Sequence, residues 1–402
     1  MFKGAVRVVD PEGGGDFVSL ADAISQSQRR PPGNADGWTL ILRPATYEIS
    51  AELCGDVSLQ LLGERSSVLS ENDSKRNEPA VKLRCEPTTL TQGEFPPDSV
   101  VLSAKGDGSA LFLEDMSLSL AKESSAMANC LRSTEGASVT ATGCVFHSHN
   151  SPAVGVWQSM SRCTLQSCIF QPQTSAAVLV GGDTSSLVMK KCRVKRCVMA
   201  AIEVRGRDCT ARLTDCSFTH CQSQAVVGYG SANLLEMVRC EVTSSGRFGT
   251  HSCLLLANRA TMLRDCKFDH NRSDVVVMQG SAESDHSAFL SMDGCAVTRN
   301  SGTGVIFGMS PCHGILSRNV ISDSSGSGIN CLAVAVGKKV TLRDNRIERN
   351  GPGHGFDVIT VKGLEERVVM MGVNNVPERP TTLQLPASLL RQYQSCTSVE
   401  MS

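Results

Sequence analysis

The sequence predicts an all-β fold, a right-handed parallel β-helix solenoid, and three observations carry that prediction. A phrase of Leu or Met, two residues, Cys or Asn, one residue, then Phe, Val or Ile recurs through the middle of the chain. Its copies fall about two dozen residues apart. Each copy is followed by a second short run rich in Ala, Val, Ile and Leu, closed by Gly or Asn. A period this short leaves no room for the paired helices of the 33–34-residue repeats. β-rich runs buried on one side suit parallel strands instead. A leucine-rich repeat shares the Leu-x-x-Cys/Asn phrase but needs a convex-side element that these copies lack.

The phrase reads LQSCIF at Leu165–Phe170, MKKCRV at Met189–Val194, LTDCSF at Leu213–Phe218 and MVRCEV at Met237–Val242. It continues as LRDCKF, MDGCAV, LSRNVI and LRDNRI, with a first copy at Ala141–Phe146. The central residues are Cys144, Cys168, Cys192, Cys216, Cys240, Cys266, Cys295, Asn319 and Asn345, spaced by 24, 24, 24, 24, 26, 29, 24 and 26. Coils stacked at about 4.8 Å place equivalent side chains above one another. The central position therefore forms an interior file in which Cys packs as a small hydrophobe. Asn319 and Asn345 are expected to form an amide ladder, and Phe146, Phe170, Phe218 and Phe268 a parallel apolar file.

Toward the ends the pattern loosens. Residues 1–37 read as an N-terminal strand and capping helix, with Asp16 as N-cap ahead of Phe17, Leu20, Ala21 and Ile24. Residues 38–373 form the β-helix. Its first strands are expected at Thr39–Arg43, Val57–Leu62, Ala80–Cys85, Val100–Leu102 and Leu111–Leu120. Loops are expected at Ser70–Asn77 and Glu86–Asp98, and a last strand at Arg367–Met371. Residues 374–402 read as a linker, a short cap near Leu383–Gln394 and a tail. Such caps shield the terminal coil of a solenoid from edge-to-edge pairing.

Composition narrows the function classes. A net charge of −1 lacks the broad positive field of a general nucleic-acid binder. The opening MFKGAVRVVDPEGGGD has no apolar stretch of signal-peptide length, and no segment could cross a bilayer. A cytoplasmic location is therefore expected, with cytoskeletal or nuclear placement as alternatives and secretion disfavoured. Eighteen cysteines are then expected as reduced thiols, because stacked Cβ atoms lie farther apart than a disulfide allows. Cys192, Cys197, Cys216 and Cys221 could approach one another, but they lack a Cys-x2-Cys knuckle. No metal and no cofactor are expected.

Gly14, Gly15, Asp16 and Phe17, leading to Ala23 and Ile24, resemble the opening of pectinesterase- and pectate-lyase-type β-helices. So does Leu40–Leu42, leading through Pro44 to Tyr47 and Glu48. The repeated phrase resembles the generic parallel β-helix repeat. In character it is closer to intracellular proteins, such as the β-helical F-box proteins and the Shc SH2-domain-binding protein family, than to secreted pectinases. The enzyme resemblance implies site residues that this chain matches only in fragments. Gly353-His354-Gly355 fits one polygalacturonase-like element, yet no Asp-Asp pair accompanies it to divide acid and base work. Gln224-Ala225-Val226 faintly echoes a pectinesterase-like site whose Asp phrase is missing. Asp215, Asp265 and Asp344, candidates for lyase-like calcium ligands, sit in coils separated by non-acidic ones and read as solvated turn residues.

The most distinctive polar cluster is Lys190, Lys191, Arg193, Lys195 and Arg196, with Arg205, Arg207 and Arg212 nearby. It is a candidate surface for an acidic protein tail or a phosphate-bearing ligand. Asp285 and His286, in the excursion Gly280–Ser287, form a second candidate. Aromatics make up 4% of the chain and Trp38 and Trp157 are its two tryptophans, which weighs against a sugar groove. The expected function is a non-catalytic intracellular scaffold or protein-recognition module that binds protein partners or joins a larger assembly. The alternative is a carbohydrate-active enzyme or a degenerate relative. Acidic and basic residues clustered in one aromatic-lined groove would mark the enzyme, and a broad ungrooved face the scaffold.

Overall fold

The computed structural model describes residues 5–28, 37–54, 58–64, 79–85, 100–120, 128–229, 233–246, 252–257, 259–279, 287–308, 312–352, 357–361, 364–372 and 381–383. Internal contacts divide the chain into two compact units, Met1–Ile202 and Glu203–Ser402. The strands wind as a right-handed parallel β-helix. Among the described residues no helix is long and apolar enough to cross a membrane.

In the first unit, sheet 1 stacks Ala5–Val9, Trp38–Leu42, Ser58–Gly63, Ala110–Glu114, Ser138–Thr142, Arg162–Gln166 and Ser186–Lys190 in that order. Sheet 2 stacks Thr46–Glu48, Val81–Cys85, Met116–Leu120, Val145–His147, Ile169–Phe170 and Arg193–Lys195. Sheet 3 begins with Ala51–Cys54, Val100–Lys105, Asn129–Thr134, Val154–Trp157 and Val178–Val180. The second unit repeats the plan. Its sheet 1 runs from Thr210–Thr214 to Val368–Met371, its sheet 2 from Ser217–Thr219 to Arg346–Glu348, and its sheet 3 from Val226–Gly228 to Thr381–Leu383.

From the strand Ala110–Glu114 onward, a single residue in the left-handed region turns the chain from sheet 1 to sheet 2. It is Asp115, Gly143, Ser167 and Lys191 in the first unit, and Asp215, Arg239, Asp265, Gly294, Arg318 and Asp344 in the second, with φ between 50 and 64°. Asp and Gly tolerate this conformation best. This corner splits the expected strand Leu111–Leu120 into two, because Asp115 (φ 54°) breaks it. A second left-handed corner follows sheet 2, at Arg196 in the first unit and at His220, Ser244, His270, Arg299, Asp323 and Arg349 in the second.

Just inside the first corner lies the expected interior file, its members buried in both units. It starts earlier than the sequence phrase, since Val81 pairs with Met116 and Met116 holds the place of Cys144 in the next coil. The thiols do more than fill space. Cys168, Cys192, Cys240 and Cys266 donate to the carbonyls of Ala141, Leu165, Leu213 and Met237 in the preceding coil, at 3.3–3.4 Å. Asn319 and Asn345 donate likewise to Met292 and Leu316, at 3.0 and 2.7 Å. The amides also form the predicted ladder, with Asn345 Oδ1 accepting from Asn319 Nδ2 at 2.9 Å. Beside this file Phe146 and Phe170 stack at 5.0 Å between centroids.

A second ladder follows the second corner and was not read from the sequence. Cys221 N donates to Ser245 Oγ, Ser245 N to Asn271 Oδ1 and Asn271 N to Asn300 Oδ1. Ser324 N donates to Asn350 Oδ1 farther on. In the first unit Cys197 holds the same place, accepting from Gln173 Nε2 at 3.5 Å. Cys192 and Cys197 thus belong to separate files, as do Cys216 and Cys221. Among the described residues no group of three or more His, Cys, Asp or Glu is placed to hold a metal ion. Burial pushes the Cys253 and Cys312 thiols up to about 12, so they remain protonated.

The ends correct three sequence expectations. The first helix is Leu20–Ser27, capped by Ser19, whose Oγ accepts from Asp22 N. Asp16 instead accepts from Val8 N at 2.8 Å, so its carboxylate is spent on the first strand. The last sheet-1 strand is Val368–Met371, because Glu365–Arg367 form a 3-10 turn. Thr381–Leu383, expected within the linker and cap, pairs as a strand with Val358–Val361. The loops Ser70–Asn77 and Glu86–Asp98 and the cap beyond Leu383 lie outside the described residues.

Candidate functional site

The outer face of sheet 3 in the first unit carries a cleft of about 590 Å³, within the size range of small-ligand sites. Two files of sheet-3 residues, set by strand register, run through it. Glu52, Ser103, Arg132 and Gly155 occupy one. Cys54, Lys105, Thr134 and Trp157 occupy the other. Four strands at about 4.8 Å spread these groups over roughly 14 Å. Glu135 and Gln158 complete the lining from the turns that follow, both held in left-handed backbone (φ 54° and 62°).

Trp157 is the floor of the cleft. Its ring lies on a bed of two glycines: a Cβ on Gly155 would run into Nε1 and Cδ1, and one on Gly181 would meet Cε3 and Cζ3 at 2.9 Å. The indole N–H donates to Asn129 Oδ1 at 3.1 Å, and Arg132 Nε donates to the same oxygen at 3.0 Å. Asn129 is itself fully buried and donates from Nδ2 to Pro152 O. Aromatic plane and guanidinium are therefore fixed by one amide.

Opposite charges surround this floor. Lys105 Nζ lies 3.6 Å from Glu135 Oε1. The Glu135 carboxylate, and then that of Glu52, hold the ammonium above its ordinary value. Glu52 Oε1 accepts from the Cys54 thiol and Oε2 from Ser103 Oγ. Burial, then that hydrogen bond to Glu52, raises the Cys54 thiol, which disfavours a thiolate nucleophile. The cleft offers a partly exposed aromatic ring, two carboxylates that can accept hydrogen bonds from hydroxyls, and two cations. Such a set suits a polyhydroxylated ligand and includes candidate proton acceptors.

The sequence singles out none of these residues except Trp157, named there only in the scarcity of aromatics that weighs against a sugar groove. The structure seats that one ring against two glycines at the cleft. A signal existed: glycines stand two residues before Trp157 and 24 after it.

Lys190, Lys191, Arg193, Lys195 and Arg196 are all exposed and lie on one coil, around both corners of sheet 2 in the first unit. Arg205, Arg207 and Arg212 belong to the second unit. There Arg205 pairs with Glu203 at 2.7 Å and Arg212 with Glu236 at 3.5 Å. Asp215 binds Arg239 through both oxygens. Asp285, His286 and His354 lie outside the described residues.

Residues 121–253 and 252–363 match the family described as right handed beta helix region. No curated protein matches the sequence significantly. Among solved structures, the fold is similar to tailspike protein 3 of bacteriophage CBA120, with TM-score 0.51 and 11% identity, covering 94% of this chain and 61% of that one. It is also similar to the periplasmic alginate epimerase AlgG (TM-score 0.49, 9% identity, 87% of this chain and 78% of that one). A third similarity is to pectin methylesterase from carrot (TM-score 0.45, 12% identity, 70% and 85%). At these identities the likeness is one of fold. The expectation of a non-catalytic intracellular scaffold is corrected by the surface of sheet 3 in the first unit. The aromatic-lined cleft with clustered acids and bases stands where that scaffold called for an ungrooved face.

Proposed function

Because the chain belongs to the right-handed β-helix family, we propose that it binds carbohydrate, and acts on it, at the Trp157 cleft of the first unit. The observation that carries this reading is the Trp157 ring laid across Gly155 and Gly181, with Glu52, Lys105, Arg132 and Glu135 around it. A saccharide ring stacks its C–H face on the indole, while the polar groups take its hydroxyl or acidic substituents. Glu52 and Glu135 are the candidate proton acceptors, and Lys105 and Arg132 hold developing or resident negative charge.

The test is a calorimetric titration with a panel of neutral and acidic oligosaccharides, followed in the unaltered protein by Trp157 emission as well, and paired with mass analysis of the incubated sugars. At least one saccharide should change the emission, Trp157→Ala should remove that binding, and Glu52→Gln or Glu135→Gln should abolish turnover while binding persists. Absence of any responding saccharide, or binding indifferent to Trp157→Ala, would overturn the reading.

A further inference from the structure

The basic coil Lys190–Arg196 differs from the arginine-bearing corners of the second unit. Corner arginines of the second unit are each answered by an acid one coil earlier. Arg239 binds Asp215, Arg299 binds Asp269, Arg318 binds Asp293 and Arg349 binds Asp323. At the equivalent places beneath Lys190 and Lys191 the preceding coil offers Gln166 and Ser167, and beneath Arg193 it offers Ile169. None of Lys190, Lys191, Arg193, Lys195 and Arg196 joins an ion pair among the described residues. Five exposed cations within seven residues repel one another, and a merely solvated face would be balanced as the other corners are.

The arrangement also has a shape. Arg193 and Lys195 point outward from the same strand, about 6.6 Å apart. Lys191 and Arg196 flank that strand from its two left-handed corners. The cations therefore follow one another along a strand and its two corners, a row that a chain of repeating anionic groups matches in length. Val198 and Met199, 40% and 51% exposed, extend the row with apolar surface. We propose that this coil is a second binding site, separate from the Trp157 cleft, for a linear polysaccharide bearing carboxylate or sulfate groups. The cations take the acidic groups, and Val198 and Met199 lie against the C–H faces of the sugar rings. The choice of polymer rests on the carbohydrate reading of the cleft, whereas the existence of an anion site does not.

The test uses the full chain on immobilised polygalacturonate (carboxylate) and dextran sulfate (sulfate), with poly-glutamate at matched charge as the polypeptide comparison. The protein should be retained by at least one polysaccharide and released by salt, and should hold poly-glutamate about tenfold more weakly. Arg193→Glu with Lys195→Glu should weaken retention by at least about tenfold, and Arg193→Gln with Lys195→Gln by less. Thermal melting should be unchanged in both. Trp157→Ala should leave retention intact while abolishing oligosaccharide binding in the cleft, which separates failure of one site from failure of the other. Unaltered retention of the double variants, loss of retention in Trp157→Ala, or equal affinity for poly-glutamate would each overturn the proposal.

Discussion

Asn129 and Trp157 lie 28 positions apart in the chain and meet at 3.1 Å, the indole donating to the amide oxygen. Because Arg132 shares that oxygen and Pro152 receives the amide's N–H, removing the side chain frees two walls of the cleft at once. Asn129→Ala is expected to weaken saccharide binding about tenfold and to cost about 1–3 kcal/mol of stability. Fluorescence titration and chemical denaturation read the two effects separately. A variant that loses stability but keeps full affinity would show that the amide supports the coil alone.

Gly155→Ala tests the aromatic floor from beneath. The added methyl collides with the Trp157 indole edge and with Asn129 Oδ1, so the ring must lift or swing. Binding should fall more than tenfold, with a loss of roughly 1–3 kcal/mol in stability from overpacking. Near-ultraviolet circular dichroism of the tryptophan band should change. An unchanged band with unchanged affinity would count against the ring being a binding surface.

The two kinds of file residue should differ in cost when truncated. Asn319→Ala removes donors to Met292 O and the acceptor of Cys295 N, all buried. It should destabilise the second unit by about 2–4 kcal/mol. Cys240→Ala loses one weak thiol donor and little volume, and should cost about 1–2 kcal/mol. Urea midpoints of the two variants decide the order, and equal costs would mean the amide ladder adds nothing beyond packing.

Acid sensitivity should trace to the corner pairs. The Arg318 guanidinium holds the Asp293 carboxyl below its ordinary 3.8, despite some burial. A depressed native value means the pair stabilises the fold above about pH 4. That contribution is lost as pH falls through the native value, because the unfolded chain then takes up the proton first. Arg318→Ala should therefore lower the melting temperature at pH 6 and flatten its dependence on pH between 5 and 2. A pH profile parallel to that of the unaltered protein would exclude this pair as a contributor.

How much of this was legible depended on regular spacing. From Cys144 onward the 24-residue step exposed the interior file, the Phe file and the Asn319–Asn345 ladder, because burial repeats with the coil. The second ladder escaped because its members alternate among Cys197, Ser245, Asn271 and Asn300, which share hydrogen-bonding capacity but no apolar character. The cleft escaped for another reason. Glu52 and Ser103 are register neighbours 51 positions apart, and Ser103 and Arg132 are 29 apart, so irregular coil lengths hid the shared face. Asp16 has the residue type of a helix cap, but the hydrogen bond it accepts from Val8 N fixes its place.

The one-residue corner between sheets 1 and 2 has an evolutionary consequence. In the regular coils it keeps a constant length while the step between coils stretches from 24 to 26 and 29. Inserted residues can therefore accumulate at the other junctions, where they lengthen a surface excursion and leave the stacking order beneath untouched. A gene encoding such a chain can trial new loops around an existing ligand face one codon at a time, without having to rediscover the fold.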